Sequence, residues 1–295
     1  MPIHPAAPQD LPGKVEAYRQ TVQAVIDLGR GLSDEQLATP TDCPGWSVRD
    51  QLAHVAALEA HLEGQPAPDI HVEGDHIKSD VGAYMERGIR ARDDRSGEAV
   101  VRELEYLLDK RMTTLASPGL ELGAIVPGVR GPAPVEDVLR MRTLDVWVHE
   151  QDVREALGKP GDLDSPAAAV FVDTAFTVVA KAVAKAGVPV GDTVIIELTG
   201  PVTGRIGVRM EDVDGSPRGV TIFGTPEADG ASGPSHTTST LRAIGADAKI
   251  TTIKLSTEAF ARLAAGRRTP DEVTWTASGE EDAARAVLGG LTFTP

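Results

Sequence analysis

Cysteine and aromatic residues are scarce in this chain of 295 residues. Because Cys43 is its one cysteine, an internal disulfide and a zinc site built from several cysteines are both excluded. Aromatic residues make up only 4% of the sequence, so any core must consist mainly of aliphatic side chains. A lone cysteine is consistent with a reducing compartment, and we expect a cytoplasmic protein.

The chain also lacks an excess of basic residues and a long uninterrupted apolar run. Its 29 Lys and Arg residues against 44 Asp and Glu residues give a net charge of −15, which repels phosphate backbones and anionic lipid head groups. The most apolar stretch, residues 167–188, is interrupted by Asp173, Lys181 and Lys185. The first 13 residues show neither the basic region nor the apolar segment of a secretory signal. We therefore expect neither nucleic acid nor a membrane as a partner.

Length and hydrophobic spacing divide the sequence into two domains. A Gly- and Pro-containing seam at residues 158–162 separates a helical first half from a mixed second half. We predict a four-helix bundle over residues 1–160 and an α+β domain over residues 161–295. The predicted fold class is thus α plus α+β.

Capping signals and apolar periodicity locate the individual elements. Helices of the first half are predicted at residues 13–32, 47–63, 80–116 with a break near Ser96, and 134–158. The helix at 47–63 begins with a capping box formed by Ser47 and Asp50. In the second half we predict helices at 166–186, 258–265 and 281–288, strands at 193–198, 204–210, 219–223, 249–255 and 272–277, and a loop at 225–246.

The last helix of the bundle carries polar residues beside its apolar stripe. Val146 and Val153 belong to the stripe, while Asp145, His149 and Asp152 lie four and three residues apart along one flank. A carboxylate and an imidazole beside a core must be paired, and a divalent metal satisfies both. Side chains one helical turn apart can converge on one ion. Considered on this helix alone, a hydrogen bond between Asp145 and His149 is the simpler interpretation.

A third metal ligand must come from another helix, and His54 is the candidate. It lies on the flank of the helix at 47–63, beside an apolar stripe that includes Leu52 and Val55. A site with three protein ligands keeps one position open, which is typical of catalytic zinc. The alternative is a histidine that is exposed or simply hydrogen-bonded.

Two segments together resemble the mycothiol-dependent maleylpyruvate isomerase family: residues 43–55 (CPGWSVRDQLAHV) and residues 145–154 (DVWVHEQDVR). The resemblance implies a DinB-like four-helix bundle in the first half and a sterol carrier protein-like α+β domain in the second. It also implies a divalent metal, usually zinc, held by His54, Asp145 and His149. The isomerase itself has glutamate where Asp145 stands, so either the helices approach more closely here or the metal is held less tightly.

The resemblance further implies an enzyme that uses mycothiol as a thiol cosubstrate. In this family the thiolate adds to an electrophile, which leads to cis–trans isomerisation of maleylpyruvate or to S-transfer. Asp152 would then accept a hydrogen bond from a ligand imidazole, and Arg154 would act at the reacting site. Arg87 and Arg90 are candidate anchors for the cosubstrate, with surface solvation as the alternative.

Two other functions are compatible with the same residues. The first is a non-catalytic protein that binds a metal or a small ligand on this two-domain scaffold. The second is a DinB-like metal hydrolase that needs no thiol. Cys43 is interpreted as a small packing residue, because the family brings its thiol in from outside.

Overall fold

The computed structural model describes residues 3–224 and 248–294 and forms two compact units. One unit consists of Pro8–Asp162, and the other combines residues 3–7 with the described residues from Leu163 onward. The division between residues 160 and 161 drawn from the sequence lies two residues from this junction. Residues 3–7 group with the second unit because His4 forms an antiparallel bridge with Thr203. The predicted loop at 225–246 lies outside the described residues.

The first unit is helical. Its elements are α1 (Leu11–Gly29), α2 (Asp34–Leu37), α3 (Val48–Leu62), α4 (Asp80–Arg90), α5 (Gly97–Leu115), β1 (Ile125–Val126), β2 (Ala133–Pro134) and α6 (Val135–Ala156). The long helices α1, α3, α5 and α6 pack around one aliphatic core, which includes Leu52, Leu104, Leu107, Leu139 and Val146. These four helices confirm the predicted bundle, and α4 packs beside it against α3.

Local capping fixes where the helices of the site begin. Ser47 Oγ accepts a hydrogen bond from the backbone N–H of Asp50, and the Asp50 carboxylate accepts one from the backbone N–H of Ser47. This capping box was predicted, and it sets the face of α3 on which His54 lies. The predicted break between α4 and α5 is also present, since Ser96 caps α5. The four-residue helix α2 and the two-residue ladder of β1 with β2 were not predicted.

The second unit is an α+β fold, as predicted. Its elements are α7 (Pro166–Lys185), β3 (Thr193–Thr199), β4 (Thr203–Val213), β5 (Ser216–Phe223), β6 (Ile250–Leu255), α8 (Thr257–Ala264), β7 (Trp275–Ser278) and α9 (Glu281–Gly289). The five strands form one sheet in the order β5-β4-β3-β6-β7, in which β3 and β6 are parallel and the other neighbours antiparallel. Helix α7 packs against β4 and β5.

Helix α7 is long and apolar enough to cross a membrane by composition. In the structure, however, 61% of its most apolar window is buried inside the protein. Phe171 and Phe176 on this helix are fully buried, and Phe176 contacts the ring of Phe260 on α8. This burial is typical of the core helix of a soluble domain.

The close approach of α4 to α3 depends on Gly88. A Cβ atom on Gly88 would lie 2.6 Å from the Cβ atom of Ala57, so Gly88→Ala must push the two helices apart. We expect this substitution to lower the free energy of unfolding by about 1–3 kcal/mol. Gly82→Ala in the same helix is the matched control, because its nearest contact would be an ordinary 3.6 Å and alanine favours helix. Urea unfolding of the full chain measures both, and equal stability of Gly88→Ala and Gly82→Ala would contradict the packing.

Candidate metal centre

The three predicted metal ligands converge at one point of the bundle. His54 comes from α3, and Asp145 and His149 come from α6, one helical turn apart. His54 Nε2 lies 3.5 Å from Asp145 Oδ2, and His149 Nε2 lies 3.7 Å from Asp145 Oδ1. One ligand atom from each residue lies within 4.8 Å of the other two. Ligands bound to zinc at about 2.0–2.1 Å in a tetrahedron are roughly 3.3–3.5 Å apart, so these separations are close to a binding geometry.

The hydrogen bonding of His54 fits a metal ligand. Its side chain is 3% exposed, yet neither ring nitrogen has a hydrogen-bond partner. Leaving a buried polar atom unsatisfied costs about 1–3 kcal/mol, and a metal ion would remove that penalty. The side chain of Asp145 keeps a third of its surface exposed, so the cluster is reached from one side. The aspartate, although shorter than glutamate, approaches both imidazoles.

Protonation of the cluster also suits metal binding at His54. Burial, assisted by the nearby His149, lowers the pKa of His54 to about 4, so the ring is neutral at pH 7 and can donate a lone pair. Burial would also lower the pKa of His149, but the carboxylates of Asp145 and Asp152 outweigh burial and raise it. Desolvation opposes ionisation of Asp145, but the Arg142 guanidinium and the two imidazoles hold its pKa well below the ordinary value.

A buried polar network holds Asp145 in place. Arg142, one turn earlier on α6, donates from Nη1 to Asp145 Oδ2. The same guanidinium donates from Nε and Nη2 to Glu59 Oε1 on α3, at 3.1 and 2.7 Å. Tyr18 on α1 donates its hydroxyl to Glu59 Oε2. Arg142, Glu59 and Tyr18 are all buried, so three helices fix one carboxylate of the cluster.

Sequence reasoning missed this network. Glu59 lies in the apolar run Ala56–Leu62 and has no local feature that distinguishes it from a solvated glutamate. The pairing of Arg142 with Asp145 could have been predicted, because Arg142 precedes Asp145 by three residues and therefore lies on the same side of the helix.

The Nδ1 side of His149 faces a second carboxylate. Asp152 Oδ2 lies 3.6 Å from His149 Nδ1, which is longer than a hydrogen bond. Asp152 is fully buried, and Cys43 is buried close to both residues. The structure thus brings Asp152 near one of the two candidate ligand imidazoles, at a separation longer than the predicted hydrogen bond.

Trp46 covers the two imidazoles. Its ring centroid lies 4.9 Å from that of His54 and 5.6 Å from that of His149. The indole Nε1 donates to Glu86 Oε2 on α4 at 2.9 Å, and His76 Nε2 lies 3.1 Å from the same oxygen. Trp46 therefore forms an apolar wall of the cluster, and its orientation is set by α4.

The three predicted arginines lie on α4 and α6, and none of them belongs to the three-residue cluster. Arg154 donates from Nε to Glu150 Oε1 at 2.7 Å, and its recorded partners do not include the three metal-ligand candidates. Arg90 is engaged by three carboxylates, those of Asp50, Glu86 and Asp93. These pairs compensate the charge of Arg90, so the structure does not favour it as an anchor for an anionic ligand. Arg87 is half-buried on α4.

The helical unit is similar to a domain of known proteins. Residues 18–154 match the family profile described as mycothiol maleylpyruvate isomerase N-terminal domain. Two crystal structures, of mycothiol-dependent maleylpyruvate isomerase and of a point mutant of it, superpose with TM-scores of 0.50 and 0.51. Each shares 18% sequence identity and covers 91% of this chain and 93% of its own, so these likenesses show the fold.

No curated protein matches the chain. The family profile confirms the resemblance that residues 43–55 and 145–154 indicate, because both segments lie within the matched residues. Residues 18–154 of this chain are therefore similar to the mycothiol maleylpyruvate isomerase N-terminal domain.

Proposed function

We propose that this protein is a mycothiol-dependent metalloenzyme that acts on a small electrophile, by cis–trans isomerisation or by S-transfer. The observation that carries the proposal is the convergence of His54, Asp145 and His149 around a point where His54 has no hydrogen-bond partner. The family of the helical domain supports mycothiol as the thiol. A thiol cosubstrate and a single buried cysteine suit a reducing cytoplasm, which we propose as the location.

The donor set suits zinc or a similar divalent cation. Two imidazoles and one carboxylate form the type of three-ligand site that catalytic zinc occupies. A zinc ion held by His54, Asp145 and His149 would lower the pKa of the cosubstrate thiol, ordinarily about 8.5, so that thiolate is present at neutral pH. Such a thiolate would add to the electrophilic carbon of an activated double bond, and the pair of that double bond would move onto the oxygen of the conjugated carbonyl group as an enolate. Rotation about the resulting single bond, followed by return of the enolate pair and cleavage of the C–S bond, would complete an isomerisation, whereas protonation of the enolate at carbon would complete an S-transfer.

The surrounding residues position this chemistry. Arg142 and Glu59 hold the Asp145 carboxylate, which prevents it from rotating toward solvent. Trp46 packs against both imidazoles and excludes water from their faces. Asp152 is placed to orient the His149 ring through Nδ1.

The first prediction concerns the metal. His54→Ala removes the candidate ligand on α3 and leaves the two on α6 in place. The variant should therefore retain one zinc ion fewer per chain than the wild type. Zinc is loaded onto the full chain, excess is removed, and elemental analysis counts what remains. His61→Ala is the matched control, because His61 lies two turns further along the same helix and contacts Tyr84. Unchanged zinc content in His54→Ala would exclude this residue from the site.

The second prediction concerns the thiol. Zinc-loaded protein should consume an electrophile such as maleylpyruvate only when mycothiol is present, because the chain supplies no exposed thiol of its own. Substrate loss is followed by absorbance with and without mycothiol, before and after treatment with a chelator. Equal rates with and without the thiol would point instead to a thiol-independent metal enzyme.

A further inference from the structure

A second set of metal-ligating side chains lies directly behind the first. Cys43, His149 and Asp152 each offer one ligand atom, and these atoms lie within 4.8 Å of one another. Cys43 comes from the loop before α3, while His149 and Asp152 lie one turn apart on α6. All three residues are buried. The set contains the one cysteine of the chain, which the proposed reaction does not use.

The unsatisfied ring nitrogen of His149 points into this set. His149 has a side chain only 8% exposed, and its Nδ1 has no hydrogen-bond partner. The nearest carboxylate oxygen, Asp152 Oδ2, lies 3.6 Å away, which is close to the separation of two ligands on one tetrahedral ion. The other nitrogen of the same ring, Nε2, faces Asp145 and the first cluster. His149 therefore presents one nitrogen to each set.

We propose that Cys43, His149 and Asp152 form a second cation site, which shares His149 with the first. The site would take a borderline divalent cation such as Zn²⁺ or Co²⁺, because a thiolate disfavours Mg²⁺ and Ca²⁺. A thiolate and a carboxylate together carry two negative charges, which neutralise the ion in a buried position. Binding would release the Cys43 thiol proton to solvent, and filling both sites would require His149 to lose its ring protons, so that each nitrogen can donate a lone pair.

This site does not rest on the proposed function. Cys43 and Asp152 are not ligand candidates of the first cluster, and they meet His149 on the opposite edge of the ring. Loss of His54 would remove a ligand from the first cluster and leave the second set complete. The two sites can therefore be separated by substitution.

Cobalt titration of the full chain, free of added thiols, tests the proposal. A thiolate bound to Co²⁺ gives a charge-transfer absorption in the near ultraviolet, and in this protein such a band can come only from Cys43. We expect the band to grow with added Co²⁺ and to saturate at one ion per thiol. A wild-type protein that shows no such band at saturating Co²⁺ would overturn the proposal.

Variants then identify the partners of the thiolate. His54→Ala should keep the band, whereas His149→Ala should lose it. Asp152→Asn should weaken Co²⁺ binding at this site by roughly tenfold or more. Asp137→Asn, on the exposed face of the same helix, is the matched control and should leave the titration unchanged. Circular dichroism confirms that each variant keeps its helices. A band that persists at full strength and affinity in both His149→Ala and Asp152→Asn would show that Cys43 binds cobalt without these partners and would overturn the site.

Discussion

The placement of the whole cluster depends on one buried guanidinium. Arg142 donates to Glu59 on α3 and to Asp145 on its own helix, so it joins the two helices that supply the candidate ligands. Glu59 is fully buried, and its negative charge requires this partner inside the bundle. Without Arg142, Glu59 would keep a buried negative charge with no cationic partner, and Asp145 would lose the donor that holds it beside the imidazoles.

Around this ion pair the bundle is layered. Aliphatic side chains form the core, and Trp46, which packs against this core, covers the two imidazoles. The indole is anchored by Glu86, whose helix sits close to α3 because Gly88 has no side chain. The cluster and the residues that hold it in place thus come from four helices, α1, α3, α4 and α6, and from the loop before α3. A small change in helix packing would therefore alter the cluster before it altered the fold.

Local signals allowed most of this fold to be predicted. Periodicity and capping residues located the long helices and the strands of the second unit to within a few residues, because both signals act over one or two turns. The pairing of Asp145 with His149 also follows from spacing along one helix. The approach of His54 does not, since it depends on how two helices separated by about 70 residues pack. The flank position made His54 a candidate, and the family resemblance then implied that it shares a metal with Asp145 and His149. Glu59 and the bond from Trp46 to Glu86 were missed for the same reason: both are long-range contacts of side chains that locally look solvated or merely apolar.

The split origin of the three ligands has a thermodynamic consequence. An ion held by His54 on α3 and by Asp145 and His149 on α6 would act as a clamp between the helices, and it would bind only the folded chain with full affinity. Its free energy of binding therefore adds to the stability of the bundle, by about 2.7 kcal/mol when the free ion is present at one hundred times its dissociation constant. Where the free ion is scarce, the lifetime of this domain in the cell would then fall with the concentration of that ion.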